Sequence, residues 1–417
     1  MAQHSKRVII VGAGIIGVAA AVWLQREGHQ VVLVDRAGPA EGASFGNGGV
    51  LASCAIVPVT TPGLWTEAPG MVLNPQSPLF LRWSYLPRMM PWLLRYLGHA
   101  TDRGVQRTAK ALYPIIGDSL SDHQTLAAGT GAEKWIIGSD YVYLYPSRRA
   151  YLADHYGWKI KRQFGFDPVE YEGEALRAYD PSFGQGIGFG AALPGHGRIT
   201  DPGQYVKDLA AHVVAQGGEL RRADVSGLIR DGDRVTGVQT DAGPLHGDAV
   251  LIATGAWSGP LARELGLNIP LETERGYHIE LWNPSIMPKA PVMMTSGSFV
   301  ITPMEGRLRL AGIVEFGGLQ AGPSRAPFNL LRKHLKTAMP DLRWDQATEW
   351  MGHRPTLTDS VPVIGAVPGW SGAYLGFGHH HVGLTGGAKT GQLLAQMITG
   401  KHPNIDMAPY DPGRFAG

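Results

Sequence analysis

A glycine turn near the start of the chain, Val11-Gly12-Ala13-Gly14-Ile15-Ile16-Gly17, has the residue types needed to hold a pyrophosphate. Gly12 can take a turn conformation closed to residues with a side chain, and Gly14 leaves no side chain in the ligand's way. A helix starting at such a turn adds unpaired N–H groups and the positive end of its dipole. Asp35 follows about twenty residues later, where a carboxylate can accept hydrogen bonds from both ribose hydroxyls. The implied chemistry is the grip on a dinucleotide, and the turn by itself suits NAD and FAD equally.

The elements that must position these residues are legible around them. An apolar run, Arg7 to Val11, predicts a strand; a small-residue pattern, Val18 to Glu27, predicts a helix that stops at Gly28; Val31 to Val34 predicts a second strand ending at Asp35. In a chain with 57 glycines a bare GxGxxG carries little weight, so the reading rests on the whole unit. Three more glycine-bearing elements recur far along the chain, at 42–49, 253–256 and 378–387, the last leading into a predicted helix from Ala388 to Thr399. They suggest one extended cofactor gripped from several sides, which a flavin explains better than NAD. The reduced isoalloxazine carries negative charge near N1 and C2=O, and a helix N-terminus at Gly383 to Gly386 would stabilise it.

Composition narrows the rest. At 417 residues two domains are expected, possible as interleaved pieces, and 17% charged against 44% hydrophobic residues suits a folded enzyme. The net charge is +2 with no basic stripe, which argues against a nucleic-acid partner. The single cysteine, Cys54, excludes an intramolecular disulfide and any Cys-based zinc or iron–sulfur site, and reads as a small buried residue. His379-His380-His381 is not read as a metal site, because adjacent loop residues point in different directions. A first strand beginning at Arg7 leaves no room for a signal peptide and no apolar run reaches about 18 residues, so a cytoplasmic location is the expectation.

Further along, prolines at 75, 78, 87 and 91 rule out one long helix between 58 and 98 and predict short helices or a lid-like insertion. Residues 101–165 read as mainly helical with a strand near Tyr141 to Tyr145. A helix from Gly203 to Gln216, a strand from Glu219 to Arg222, antiparallel segments over 227–238 and an apolar strand from Leu245 to Ala253 follow. The expected fold class is α/β (α+β overall): a discontinuous Rossmann-type nucleotide domain from 1–60, 196–262 and 346–417, interleaved with a substrate domain from 61–195 and 263–345 on a mostly antiparallel sheet.

Taken in order, Val11 to Gly17, Asp35, Gly42-Ala43-Ser44 with Asn47, Ala253 to Trp257, Arg354-Pro355 with Asp359 and Pro362, and Gly378-His379 with Gly383 and Thr385 resemble the FAD-dependent D-amino acid oxidase superfamily over almost the whole chain. Within it, the Pro-rich insertion, Thr273 to His278 and Trp350 to Pro355 are most similar to bacterial D-amino acid dehydrogenases and the related glyphosate oxidoreductase. The resemblance implies noncovalent FAD on Gly12, Gly14, Ile15, Ile16, Gly17, Asp35, Arg36, Ser44, Asn47, Gly48, Gly49, Val225, Thr254, Gly255, Trp257, Gly383, Leu384 and Thr385. Asp35 is one methylene shorter than the family's usual Glu. The resemblance also implies that Arg354 pairs with the substrate carboxylate, a task for which a planar, permanently charged fork is suited; a structural ion pair with Asp359 is the alternative. Tyr277 and His278, with Arg275, are expected to face the flavin, and His379 to lie beside it.

The reaction so implied is oxidation of a D-amino or cyclic imino acid by hydride transfer to flavin N5, with positioning supplying most of the catalysis. Oxidation of N-substituted glycines, or a flavin subunit of a larger dehydrogenase, are the competing readings. Electrons would pass to a quinone or another acceptor. Large apolar residues interleaved with Arg82, Arg88 and Arg95 are compatible with peripheral contact on the inner face of a membrane, and equally with core packing or a lid.

Overall fold

The computed structural model describes residues 5–74 and 76–415; Pro75, one of the prolines invoked above, lies outside the described residues. The chain folds around two sheets. The first has six strands in the order Val363–Ala366, Ala373–Phe377, Ala249–Ile252, Arg7–Val11, Gln30–Asp35 and Glu219–Arg222, parallel except for the antiparallel edge strand Val363–Ala366. Its central strands are continuous runs of Val, Ile and Leu because helices cover them: Ile15–Arg26 packs against both Pro202–Ala215 and Gly387–Ile398. This is the doubly wound arrangement in which ligands sit at the carboxyl ends of the strands.

The second sheet runs Gln346–Leu357, Leu271–Trp282, Arg307–Phe316, Phe299–Met304, Val292–Met294, Ile136–Tyr145, Phe189–Ile199 and Val50–Leu51, mostly antiparallel. Its outer face packs against the helix Arg325–Ala338. A small three-stranded sheet, Val225–Asp231, Arg234–Thr240 and Gly243–His246, flanks the first.

Two local expectations change, and the short helices expected in the Pro-rich insertion are present. The predicted strand Leu245 to Ala253 is two strands, Gly243–His246 and Ala249–Ile252, in different sheets. They part at Gly247, where a Cβ would lie 2.8 Å from the Arg7 carbonyl. Gln346–Leu357, grouped by sequence with the nucleotide-binding pieces, is an edge strand of the second sheet, paired along its whole length with Leu271–Trp282. The insertion holds helices Leu64–Leu73 and Leu86–Gly98, the latter accepting Pro91 in its interior while burying Met89, Trp92 and Tyr96.

Candidate active site

One cavity of about 1010 Å³ runs between the two sheets, and almost every glycine element singled out by sequence lines it. At one end are Gly12, Gly14, Ile15, Ile16, Asp35, Arg36, Ser44, Val225, Thr254, Gly255 and Trp257; further in are Asn47, Gly48, Gly383, Leu384 and Thr385. Gly17 and Gly49 lie behind this wall. A Cβ at Gly17 would stand 2.0 Å from the Gly12 carbonyl, and one at Gly49 2.7 Å from the Ile199 carbonyl, so both act by letting backbones pack.

The turn is built as its sequence requires. Gly12 sits at φ +106, a conformation that favours glycine, and a Cβ there would meet the Ala253 carbonyl at 2.4 Å. The helix Ile15–Arg26 has no acidic residue in its first turn and no side-chain cap at Gly14; the Ser44 hydroxyl accepts from Ile15 N at 3.0 Å. Asp35 has a different first duty from that expected. One oxygen accepts from Ala13 N at 2.9 Å, the other from Ala37 N and Gly38 N at 2.9 and 3.0 Å, so it fixes the turn while facing the cavity with its remaining lone pairs. The Arg36 guanidinium lies 4.2 Å from the Trp257 ring. A side-chain-free cradle, helix N–H groups and a carboxylate at the second strand's end fit the ADP half of FAD.

Deeper in the same cavity stands Arg354. It faces Glu274 directly across the ladder, but its guanidinium lies over Gly276, where a Cβ would come within 2.5 Å of Cζ. Its contacts are long hydrogen bonds to the carbonyls of Ile313, 3.3 Å, and Gly312, 3.4 Å, and it makes no ion pair among the described residues. Burial pushes its pKa down and Glu274 pulls it back up. Asp359, the alternative partner, is held by Arg414 at 2.9 Å. Glu274 is itself taken by His380, Nε2 to Oε1 2.8 Å. A deeply set guanidinium without a carboxylate partner is a standing receptor for an anion.

The neighbours expected by sequence divide by strand parity, since successive side chains point to opposite faces. Glu274, Gly276 and His278 share one face of Leu271–Trp282, Arg275 and Tyr277 the other. The Tyr277 hydroxyl donates to Glu315 and accepts from Ser324 N at 3.0 Å, and Arg275 Nη1 stands 2.9 Å from Glu315, so neither meets Arg354. His278 is on the right face but beneath the glycine loop: Nδ1 contacts the Gly46 carbonyl at 3.1 Å, the ring stacks on Trp350, and burial pushes its pKa to about 3. His379 is buried with Nε2 3.0 Å from Thr390 Oγ1, and burial holds it neutral with a pKa of about 3. Its role is to tie the loop to the helix Gly387–Ile398. His380 and His381, which the family pattern passed over, are the pair beside Arg354, together with Glu274 and Gly276. Strand parity over 271–282 was the signal that could have selected Glu274 and Gly276.

The helix predicted from Ala388 to Thr399 runs over Gly387–Ile398, and Gly383 to Thr385, expected at its N-terminus, form the turn before it. That turn is pinned from both sides: Thr385 Oγ1 donates to the Val50 carbonyl at 3.2 Å, and Ser119 Oγ to the Thr385 carbonyl at 2.7 Å. Cys54 is buried, with its N–H on His196 Nε2 at 3.2 Å and its sulfur 3.6 Å from the Tyr143 hydroxyl. Among the described residues no group of three or more His, Cys, Asp or Glu is placed to hold a metal ion, and no helix is long and apolar enough to cross a membrane.

The FAD dependent oxidoreductase family model matches residues 7–397. The chain belongs to this family. Among similar proteins, the D-amino-acid oxidase of Bradyrhizobium diazoefficiens is 38% identical over 99% of this chain and 99% of its own length. The D-amino acid dehydrogenase of Paramagnetospirillum magneticum is 28% identical over 98% of this chain and 99% of its own. Of solved structures, glycine oxidase from Geobacillus kaustophilus superimposes with a TM-score of 0.76, 21% identity, over 99% of this chain and all of that one. The protein is thus a flavoprotein oxidoreductase of the group that oxidises amino acids, with FAD as the cofactor the family implies.

Proposed function

We propose that this protein oxidises a D-amino acid or cyclic imino acid to the corresponding imino or 2-oxo acid. The observation that carries the reading is Arg354, a guanidinium with no carboxylate partner in the cavity that also holds the nucleotide cradle. In this reading Gly12, Gly14, Asp35, Arg36, Ser44, Val225, Thr254, Gly255 and Trp257 hold the ADP half of noncovalent FAD, and Asn47, Gly48, Leu384 and Thr385 line the flavin end. The chemistry FAD supplies when bound is acceptance of the α-hydrogen as hydride. Arg354 binds the substrate carboxylate through its fork and Gly276 leaves the floor clear beneath it, which fixes the α-carbon against rotation. The lid helices Leu64–Leu73 and Leu86–Gly98 put Leu64, Met71 and Tyr96 on the cavity wall and exclude water.

We assign residues 1–60, 196–262 and 358–417 to the cofactor lobe, and 61–195, 263–345 and the strand Gln346–Leu357 to the substrate lobe. The similarity to D-amino acid oxidase and dehydrogenase supports a substituent on the α-carbon. Oxidation of an N-substituted glycine is the second reading, favoured by the small Gly276, Gly312 and Ala311 that floor the site. Anaerobic screening tests both: D-amino acids should bleach the flavin and N-substituted glycines leave it yellow. The reverse order would favour the second reading, and no bleaching by either set would overturn both.

For electron transfer we propose a quinone acceptor reached at a membrane surface. Trp65, Leu73, Trp83, Met90 and Leu94 are exposed near the exposed Arg88 and Arg95, whereas Arg82 is turned to Glu315. Sedimentation with anionic liposomes should carry the protein down, and a protein left in the supernatant would contradict the proposal.

A further inference from the structure

The reading above leaves a proton unaccounted for. An amino acid arrives as an ammonium, and the α-hydrogen can leave as hydride only after nitrogen has regained its lone pair. Near Arg354 the structure holds a chain of three side chains whose hydrogen bonds fix one another's protons. The Glu274 carboxylate is an acceptor only, so His380 Nε2, 2.8 Å away, carries the hydrogen of that bond. With a single proton on the ring, the other nitrogen of His380, Nδ1, is then an acceptor. It lies in hydrogen-bond contact with His381 Nδ1, which must therefore be the donor. What remains is the lone pair on His381 Nε2. His381 is exposed and lines the cavity, whereas Glu274 and His380 are buried.

Backbone geometry shows that this order is built in. His380 sits at φ +53, a left-handed conformation that residues with side chains rarely adopt, and its N–H is held by the Pro355 carbonyl at 2.8 Å. That bond ties the histidine pair to the residue next to Arg354. The same motif that composition suggested as a metal site and that chemistry then rejected thus acquires a use.

We propose that His381 Nε2 takes the proton from the substrate's ammonium group, with His380 and Glu274 as positioning residues that keep it receptive. This rests on the amino acid reading above. One N–H bond of the substrate breaks and one forms at Nε2; the Nδ1 proton of His381 passes to His380 Nδ1. The positive charge therefore comes to rest on His380 against Glu274, and the substrate nitrogen keeps the electron pair. No electrons leave the substrate in this step.

The charged and titratable groups around the pair are Glu274 from the strand Leu271–Trp282, Arg354 from the edge strand Gln346–Leu357, Tyr96 from the helix Leu86–Gly98, and His379 in the same loop. Enclosure by the cavity walls, with His380 and Arg354 beside it, holds His381 well below the ordinary histidine pKa. A carboxylate docking on Arg354 cancels one of these influences, so the base strengthens only when substrate is present.

His381→Gln offers no lone pair of comparable basicity. Its kcat/KM at pH 7 should fall about 100-fold and then climb about tenfold per pH unit as the free amine fraction of the substrate rises, converging on wild type near the amine's own pKa. Glu274→Gln keeps an acceptor for His380 but not the charge, and should lose about tenfold with the same slope. Affinity of both variants for an amine-free carboxylate, read from the perturbed flavin spectrum, should stay within about twofold of wild type. A wild-type rate for His381→Gln at pH 7, a loss equal at every pH, or a parallel loss of carboxylate affinity would overturn the proposal. Failure of the parent reading looks different: wild type itself would then be inert towards every amino acid.

Discussion

Arg354 and Arg309 lie two strands apart in the same sheet; Arg309 is fully buried, whereas Arg354 is half-buried and opens onto the cavity. Arg309 is fully satisfied: Nη2 and Nε reach Glu280 at 2.6 and 3.0 Å, Nη1 reaches the Phe45 carbonyl at 3.0 Å, and Arg307 shares the same carboxylate at 2.6 Å. Arg354 has two long contacts to carbonyls and no anion. The first arrangement clamps the loop 42–49 onto the sheet. The second leaves the guanidinium without a direct ion pair, with Glu274 acting on it only at a distance. It is the partner inventory that sets Arg309, a scaffold group, apart from Arg354, proposed above as a receptor.

This contrast can be broken from either side. Removing the shared carboxylate, Glu280→Gln, should be the most damaging single change, destabilising the protein by about 3–5 kcal/mol because the buried Arg309 loses its counter-ion and Arg307 keeps only Asp201. Urea unfolding measures it. The same cluster sets an acid limit. The two arginines hold Glu280 down at about pKa 2 against its burial, so its contribution is complete above the ordinary glutamate range near 4.5 and fades as pH falls toward 2. Wild type should lose stability over that interval, and Glu280→Gln should show a flatter profile there.

Arg354→Leu should do the opposite. Stability should change little, since only two long hydrogen bonds to carbonyls are lost, while kcat/KM for an amino acid falls by about 3 kcal/mol, roughly 100-fold or more. Gly276→Ala is subtler. Its Cβ would press on the guanidinium at 2.5 Å and tilt the fork away from the carboxylate, raising KM about tenfold with a smaller change in kcat. At the far end of the cavity, Arg36→Gln removes the cation–π contact with the Trp257 ring on the proposed ADP wall, and should weaken FAD binding by about 0.5–1 kcal/mol in a fluorescence titration.

The glycine turn was legible in the sequence because its signals are local. Gly12, Gly14 and Asp35 belong to one strand–turn–helix–strand unit, which the structure builds, although Asp35 is first engaged by the turn's own N–H groups. At the other end of the cavity only the proposed central residue was legible. Arg354 could be named from its motif, but its surroundings depend on pairings far along the chain: Tyr277 is claimed by Glu315, 38 residues on, and His380 reaches Glu274 across 106. The triple histidine offered three candidates and no way to rank them until the left-handed turn at His380 was seen. Gln346–Leu357 misled for the same reason, because its partner strand is not its neighbour in sequence.

The most direct test of the central claim, that Arg354 is the receptor for the substrate carboxylate, pairs a protein change with a ligand change. Rates of anaerobic flavin bleaching are measured for wild type and Arg354→Leu, each with a D-amino acid and with the corresponding amine that lacks the carboxylate. Wild type should prefer the amino acid by about 100-fold or more, and the variant should show little preference. A variant that keeps the full preference would contradict the account, because the carboxylate would then be read elsewhere.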